Sequence, residues 1–376
     1  MTDRYDVIVL GVGGMGSATV AHLAARGVDV LGLERYDVPH GYGSSHGITR
    51  IFRLAYYEHP AYVPLLRRAD ELWSELEAAH DRRLLYRTGS IDAGPRGDPL
   101  VEGSSRSCED HDLDHEVLSS ATLSDRYPGY RLPTDYEAVY QPDGGFLVPE
   151  ECIVAHVDRA HRHGATVRAR ERVVDWQPTD DDGVRVETDH RAYEADELVV
   201  TAGAWAAEFI DELEGLAVPE RQVLAWLQPE EPAAFDPEAF PVWNLQVPEG
   251  RFYGFPVHGV PGFKFGRYNH REEIVDPDAF EREPTQADER LLREFAEQYF
   301  PAGAGPTMRL KTCLFTNTPD DHFVIDTLPA HPQVSVAAGF SGHGFKFASV
   351  VGEIMADLAL EGETDHEIGM FALDRF

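Results

Sequence analysis

The sequence predicts an α/β fold in which a parallel-sheet unit is interleaved with a second, α+β unit built on an antiparallel sheet. Three observations carry this prediction. A glycine-rich turn joins an apolar run to a helical stretch near the N-terminus. A second strand–glycine–helix element lies near the C-terminus, and a segment with the alternation of a hairpin stands between them.

Taken in order, Tyr5–Leu10 reads as a short buried strand, followed by Gly11-Val-Gly-Gly-Met-Gly16. In such a turn Gly11 makes the tight bend, Gly13 lets the backbone approach a pyrophosphate, and Gly16 lets the next helix, Ser17 to Arg26, pack close to the strand. The helix N-terminus offers free N–H groups and partial positive charge to phosphates. Gly27 ends the helix, Val28–Leu33 is a second strand, and Glu34 closes it with an acid placed to accept from a ribose 2′-OH. Together these make a Rossmann-type βαβ unit that binds an adenine dinucleotide.

Composition bounds the rest. A chain of 376 residues is long enough for two domains. Its apolar runs are too short to span a bilayer, and no basic, then apolar, leader precedes residue 5, so a soluble, cytoplasmic protein is expected. With 66 acids against 33 bases the formal net charge is −33, which disfavours nucleic acid and anionic membranes as partners. The acids are spread along the chain, as on a solvated surface suited to a high-salt cytoplasm, and the source is read as halophilic. Cys108, Cys152 and Cys313 are too few and too far apart for a disulfide framework or a metal site.

Positive charge is almost all arginine; the three lysines are Lys264, Lys311 and Lys346. Lys346 follows the strand Val334–Ala338 and the turn Gly339-Phe-Ser-Gly342-His-Gly344-Phe, and a helix from about Phe347 to Leu360 buries Val351, Ile354, Met355 and Leu358. A lysine at a second helix N-terminus can stabilise negative charge on a reduced flavin ring; the plainer alternative is a buried βα unit with a solvated lysine. Lys264 sits opposite Phe263 and Phe265 in hairpin alternation, and the pattern leaves it facing either inward or outward. Arg50 and Arg53 have two readings as well, pairing with surface acids or holding a substrate carboxylate by its two oxygens.

Six separated segments, in order, resemble the monomeric sarcosine oxidase and N-methyltryptophan oxidase family of FAD-dependent amine oxidases. They are the N-terminal fingerprint, Ser45-His-Gly-Ile-Thr-Arg50, Thr201-Ala-Gly-Ala-Trp205, Tyr253-Gly-Phe-Pro256, Lys311-Thr-Cys313 and Phe340-Ser-Gly-His-Gly-Phe-Lys346. Gln222–Trp226 and Phe371–Phe376 look nearer the N-methyltryptophan branch. The resemblance implies FAD, covalently linked through Cys313, which read alone would be a structural thiol. It implies that Arg53 and Lys346 clamp a substrate carboxylate, that Lys264 helps oxygen react, and that Tyr253 walls the pocket. His46, Thr49 and Arg50 would lie close to the flavin ring. Cofactor contacts extend to Gly11, Gly13, Gly14, Met15, Gly16, Glu34, Arg35, Val173, Gly342 and Gly344.

The resemblance thus implies a monomeric oxidase of N-methyl amino acids with O2 as acceptor, releasing H2O2 and formaldehyde. Two other functions stand beside it. One is a flavin enzyme acting on glycine, a D-amino acid or a cyclic imino acid; the other is a redox sensor without turnover. Two positions depart from the family pattern. Tyr268 stands where many relatives have histidine, with His270 two residues on, and Phe315 stands where some have tyrosine. The expected division assigns 1–84, 147–217 and 320–376 to the FAD-binding domain, and 85–146 and 218–319 to the substrate domain. Gly94–Asp114 and Pro229–Pro241 are expected to be loops.

Overall fold

Two eight-stranded sheets organise the chain, whose computed structural model describes residues 3–376. The first sheet has a parallel centre: Asp3–Leu10 lies between Val30–Leu33 and Ala192–Val200, with Thr166–Arg168 and His331–Ala338 outside them. Val7–Leu10 is buried without interruption, because both faces of this sheet are covered. On one face the helix Gly14–Ala25 packs between Pro149–Arg162 and Ala348–Glu361. The approach is close: a Cβ on Gly352 would stand 2.5 Å from the Cβ of Ala18. The apolar stripe Val351, Ile354, Met355 and Leu358 is buried there as the periodicity requires.

The second sheet is antiparallel except where Val242–Val247 runs parallel to Ser90–Pro95. Its hairpin pairs Gly250–Phe255 with Phe263–Arg267. Phe252, Phe263 and Phe265 point into a core with Trp243, Phe295 and Phe300. Lys264, on the opposite face, is buried at 2 % exposure, which settles its direction as inward. A small third sheet joins Arg50–Phe52, Gly145–Leu147 and Leu85–Arg87. Among the described residues no helix is long and apolar enough to cross a membrane.

Two expected loops are structured. Within Gly94–Asp114 the chain forms the helix Pro99–Asp110, capped by the Asp98 carboxylate accepting from the Leu100 N–H at 2.9 Å. Proline at the first helical position and an aspartate cap are start signals that the glycine and serine content obscured. Those small residues serve packing: a Cβ on Gly103 would lie 2.6 Å from the Tyr57 carbonyl oxygen, and Ser107 donates to the Tyr56 carbonyl. Within Pro229–Pro241, the single turn Pro232–Phe235 and the residues after it bury Phe235 and Phe240 in the aromatic core. Two large rings hold down a segment whose prolines and acids read as exposed.

The glycine turn makes a sharp prediction. A Cβ on Gly16 would collide with the Gly11 carbonyl oxygen, whereas one on Gly13 would meet nothing within 4 Å. Gly16→Ala therefore overpacks a helix–strand contact, at a cost of about 1–3 kcal/mol or more. Thermal melts should show a lowered midpoint for Gly16→Ala and none for Gly13→Ala in cofactor-free protein.

Candidate active site

At the carboxyl ends of the parallel strands a deep cleft opens, the position where open α/β sheets bind ligands. Of the residues expected there, Gly11, Gly13, Gly14, Met15, Glu34, Arg35, Arg50, Val173, Gly342 and Gly344 line it. Gly16 lies behind the wall, against Gly11. The helix Gly14–Ala25 starts at the cleft with no cap from Gly13 and no acid in its first turn; the Gly14 N–H donates to the Ser45 hydroxyl at 3.3 Å, and the N–H groups of Met15 and Gly16 are left for phosphate oxygens. The empty space beyond Gly13 is where a pyrophosphate would approach the backbone. Glu34 is 5 % exposed and held at the strand end, accepting from the N–H groups of Val12 at 3.0 Å and Tyr36 at 2.9 Å. These features fit an adenine dinucleotide.

A second, smaller cavity opens beside the cleft and shares Arg50, Phe315, Gly342 and Phe345 with it. Its remaining walls include Arg53, Tyr253, Phe255, Tyr268, His343 and Lys346. The fold thus brings Arg50, Arg53, Tyr253 and Lys346 into one chamber from segments some 300 residues apart in sequence. Tyr268 and Phe315, the two departures, face each other there with ring centres 5.9 Å apart. His270 does not enter the chamber; it is fully buried 3.1 Å from Asp288, in a cluster with Arg221.

Both expected clamp residues are buried. Arg53 is 1 % exposed, and its guanidinium is engaged by Glu58, with both carboxylate oxygens within 2.7 Å. Arg53 thus pairs with an acid, although a buried one rather than a surface one. Arg53 holds the Glu58 carboxyl down at about 2 against the upward pull of burial. Lys346 donates to the His343 carbonyl at 2.6 Å, and its pKa is pushed down to about 7 by burial and then by Arg53.

Lys264, Thr49, His46 and Cys313 line neither cavity and stand just behind the walls. The Lys264 ammonium donates to the carbonyls of Gly47 and Thr49 and to the Thr49 hydroxyl, all within 2.8 Å. Burial, then Arg50, lowers its pKa well below the ordinary lysine value. From the other side the Glu150 carboxylate accepts from the N–H groups of Gly47 at 2.6 Å and Ile48 at 3.2 Å. The turn so held carries Ile48 at φ 76°, a strained conformation for a β-branched residue. His46 is buried and driven well below its usual pKa by burial and then Arg50. Arg50 donates to the carbonyls of Ser44 and Thr49, and its Nη2 lies 3.6 Å from Cys313 Sγ. No two of the three cysteines form a disulfide.

The model of the FAD dependent oxidoreductase family matches residues 6–358. A monomeric sarcosine oxidase of a Bacillus species (strain NS-129) is 41 % identical over 380 residues, covering 100 % of this chain and 98 % of that protein. The chain belongs to the monomeric sarcosine oxidase family of FAD-dependent oxidoreductases. An N-methyl-L-tryptophan oxidase of Escherichia coli is 35 % identical over 378 residues, 99 % of this chain and 100 % of that one. Among solved structures NikD, described as an unusual amino acid oxidase essential for nikkomycin biosynthesis, superposes with a TM-score of 0.83 at 28 % identity, covering 99 % of this chain and 98 % of that chain. The enzyme therefore binds FAD, and the cleft at the glycine turn has the features that cofactor requires.

Glu58, Glu150 and the ring of Phe345 were not singled out by sequence reasoning. Phe345 and Ser45 fall inside segments that carry the family resemblance; Glu58 and Glu150 belong to no motif, and their roles arise only from what the fold sets opposite them.

The charge state of Lys346 yields a pH prediction. Its ammonium is present below about pH 7 and lost above it, while His343, pushed down to about 3, and His46 stay neutral across that range. Binding of a simple carboxylate such as acetate should weaken as pH rises through about 7, and Lys346→Met should flatten that profile. Titration of the flavin absorbance at several pH values measures it.

Proposed function

We propose that this enzyme oxidises an N-methyl or other secondary-amine amino acid. Amine, O2 and water give the free amine, H2O2 and, from an N-methyl group, formaldehyde. One observation carries this reading: a chamber with buried cations and aromatic walls opens directly onto the dinucleotide cleft and shares Arg50, Phe315, Gly342 and Phe345 with it. When bound, FAD supplies the two-electron chemistry that links a C–H bond beside nitrogen to O2.

In this reading Arg53 and Lys346 fix the substrate carboxylate, so that the reacting C–H is presented in one orientation. At Arg53 Nη2 the substrate carboxylate competes with Glu58, both of whose oxygens accept from that nitrogen. Tyr253, Tyr268 and Phe315 wall the chamber and keep bulk water from the amine. Buried Lys264, opposite the Ser45–Arg50 turn, stabilises negative charge that develops as oxygen is reduced. Cys313, beside Arg50 and the Ser44 carbonyl, is the residue proposed to carry the flavin covalently. The same reading keeps the division into 1–84, 147–217 and 320–376 for the cofactor and 85–146 and 218–319 for the substrate. It also keeps a monomer in a high-salt cytoplasm.

Two experiments test these assignments. After denaturation and separation of small molecules, flavin absorbance should remain with the polypeptide, and in Cys313→Ser it should move to the small-molecule fraction. Release from the unaltered protein would remove the covalent link while keeping the flavoenzyme. In stopped flow, Lys264→Met should leave anaerobic flavin reduction nearly intact and slow reoxidation about 100-fold. Equal losses in both half-reactions would assign Lys264 to holding the turn alone.

A further inference from the structure

Lys264 is a buried cation whose hydrogen bonds all go to one short piece of backbone. Its three ammonium hydrogens are taken by the Gly47 carbonyl at 2.8 Å, the Thr49 carbonyl at 2.7 Å and the Thr49 hydroxyl at 2.8 Å. Two further donors crowd the same oxygens. The Thr49 N–H donates to the Gly47 carbonyl at 2.9 Å, closing a γ-turn around Ile48 at φ 76°. Arg50 Nη1 donates to the Thr49 carbonyl at 2.9 Å, so Lys264 and Arg50 meet at one oxygen and their like charges oppose each other.

The opposite charge sits one peptide group away. The Gly47–Ile48 peptide gives its carbonyl oxygen to Lys264 and its N–H to Glu150, whose two oxygens each lie 3.2 Å from the Ile48 nitrogen. Glu150 Oε1 also accepts from the Gly47 N–H at 2.6 Å. A cation on the oxygen and an anion on the N–H polarise that amide in the same sense, so each hydrogen bond strengthens the other. Glu150 stands in the first turn of the helix Pro149–Arg162, where the helix dipole favours the carboxylate form. The other groups facing Lys264 are Arg50, Arg309, Cys313 and His46, with the Phe255 and Trp226 ring centres 4.1 and 5.4 Å from Nζ. The two arginines oppose a charged lysine, His46 stays neutral, and a thiol or thioether at Cys313 carries no charge. Glu150 is the carboxylate of this set.

We propose that Glu150 is the counter-charge of Lys264, coupled to it through the polarised Gly47–Ile48 peptide, and that this coupling holds the lysine as an ammonium while oxygen is reduced. Glu150 is thus a positioning residue that acts through Lys264 and needs no contact with oxygen or the amine. A carboxylate touching the ammonium would cancel the field that Lys264 offers to oxygen. Set behind a peptide group, it supports the proton and leaves more of that field in place. The second half of the proposal rests on Lys264 acting at the oxygen step.

The lysine content makes a direct test practical. With three lysines in the chain, NMR of flavin-containing protein carrying isotope-labelled lysine gives three side-chain signals. Lys311→Arg and Lys346→Met identify two of them and leave that of Lys264. Its titration midpoint should fall by about one pH unit in Glu150→Gln, because the opposite charge is gone while an oxygen acceptor for the turn remains. Glu150→Asp keeps the charge at a greater distance and should give an intermediate midpoint, which tests the coupling even where the amide variant does not fold. A midpoint that moves in neither variant, or no titration of Lys264 at all, would overturn the coupling. Stopped-flow reoxidation of enzyme reduced without amine reads the consequence. Above both midpoints it should be about tenfold slower in Glu150→Gln, and below them the two rates should converge, since the ammonium is present at low pH and lost as pH rises. A deficit that low pH does not restore would assign Glu150 to holding the turn alone. A shifted titration with unchanged reoxidation keeps the counter-charge and removes Lys264 from the oxygen step.

Discussion

The turn Gly47–Thr49 is the constraint on which the site depends. Lys264, from the second sheet, holds its carbonyls; Glu150, at the start of a helix packed on the first sheet, holds its N–H groups. The two charges do not touch each other but grip opposite sides of one strained piece of backbone. That grip fixes Arg50 immediately after the turn and His46 immediately before it. It also ties the two sheets together at the point where cleft and chamber meet. A buried lysine without those three acceptors would be untenable, and a β-branched residue at positive φ would relax without the two anchors.

A second constraint is electrostatic. The chain is strongly acidic, yet the chamber gathers Arg50, Arg53 and Lys346 behind aromatic walls. Dehydration makes these charges effective toward a carboxylate and also expensive when unpaired. The structure answers that cost differently at each. Arg53 is neutralised by Glu58, Arg50 leans on backbone carbonyls, and the Lys346 pKa falls toward neutrality. An anionic ligand there competes with Glu58 for Arg53 and favours the charged form of Lys346.

Packing behind the chamber explains how it keeps its shape. Tyr56 donates toward His343, whose ring nitrogens lie between the Tyr56 hydroxyl at 2.6 Å and the Asp321 carbonyl at 2.8 Å. The helix Pro99–Asp110 closes on Tyr56 and Tyr57 through Gly103 and Ser107, residues small enough for backbone to meet backbone. A segment that reads as a polar loop is thus the support for Arg53, which lies 4.3 Å from both tyrosine rings.

The sequence by itself determined the βαβ unit, the cofactor class and the buried stripe of the last helix, because each rests on local rules: glycine geometry, helix period and alternation. The family resemblance pointed to Arg50, Arg53, Tyr253 and Lys346, which the fold brings into one chamber. Only tertiary structure decided that Lys264 faces inward, since hairpin alternation is the same whichever face the rest of the chain covers. Only tertiary structure set Glu58 on Arg53 and Glu150 under the turn. Ion pairs between residues far apart in sequence carry no local signature. Their partners are chosen by the packing of sheets and helices, and by the cost of burying charge once those have met.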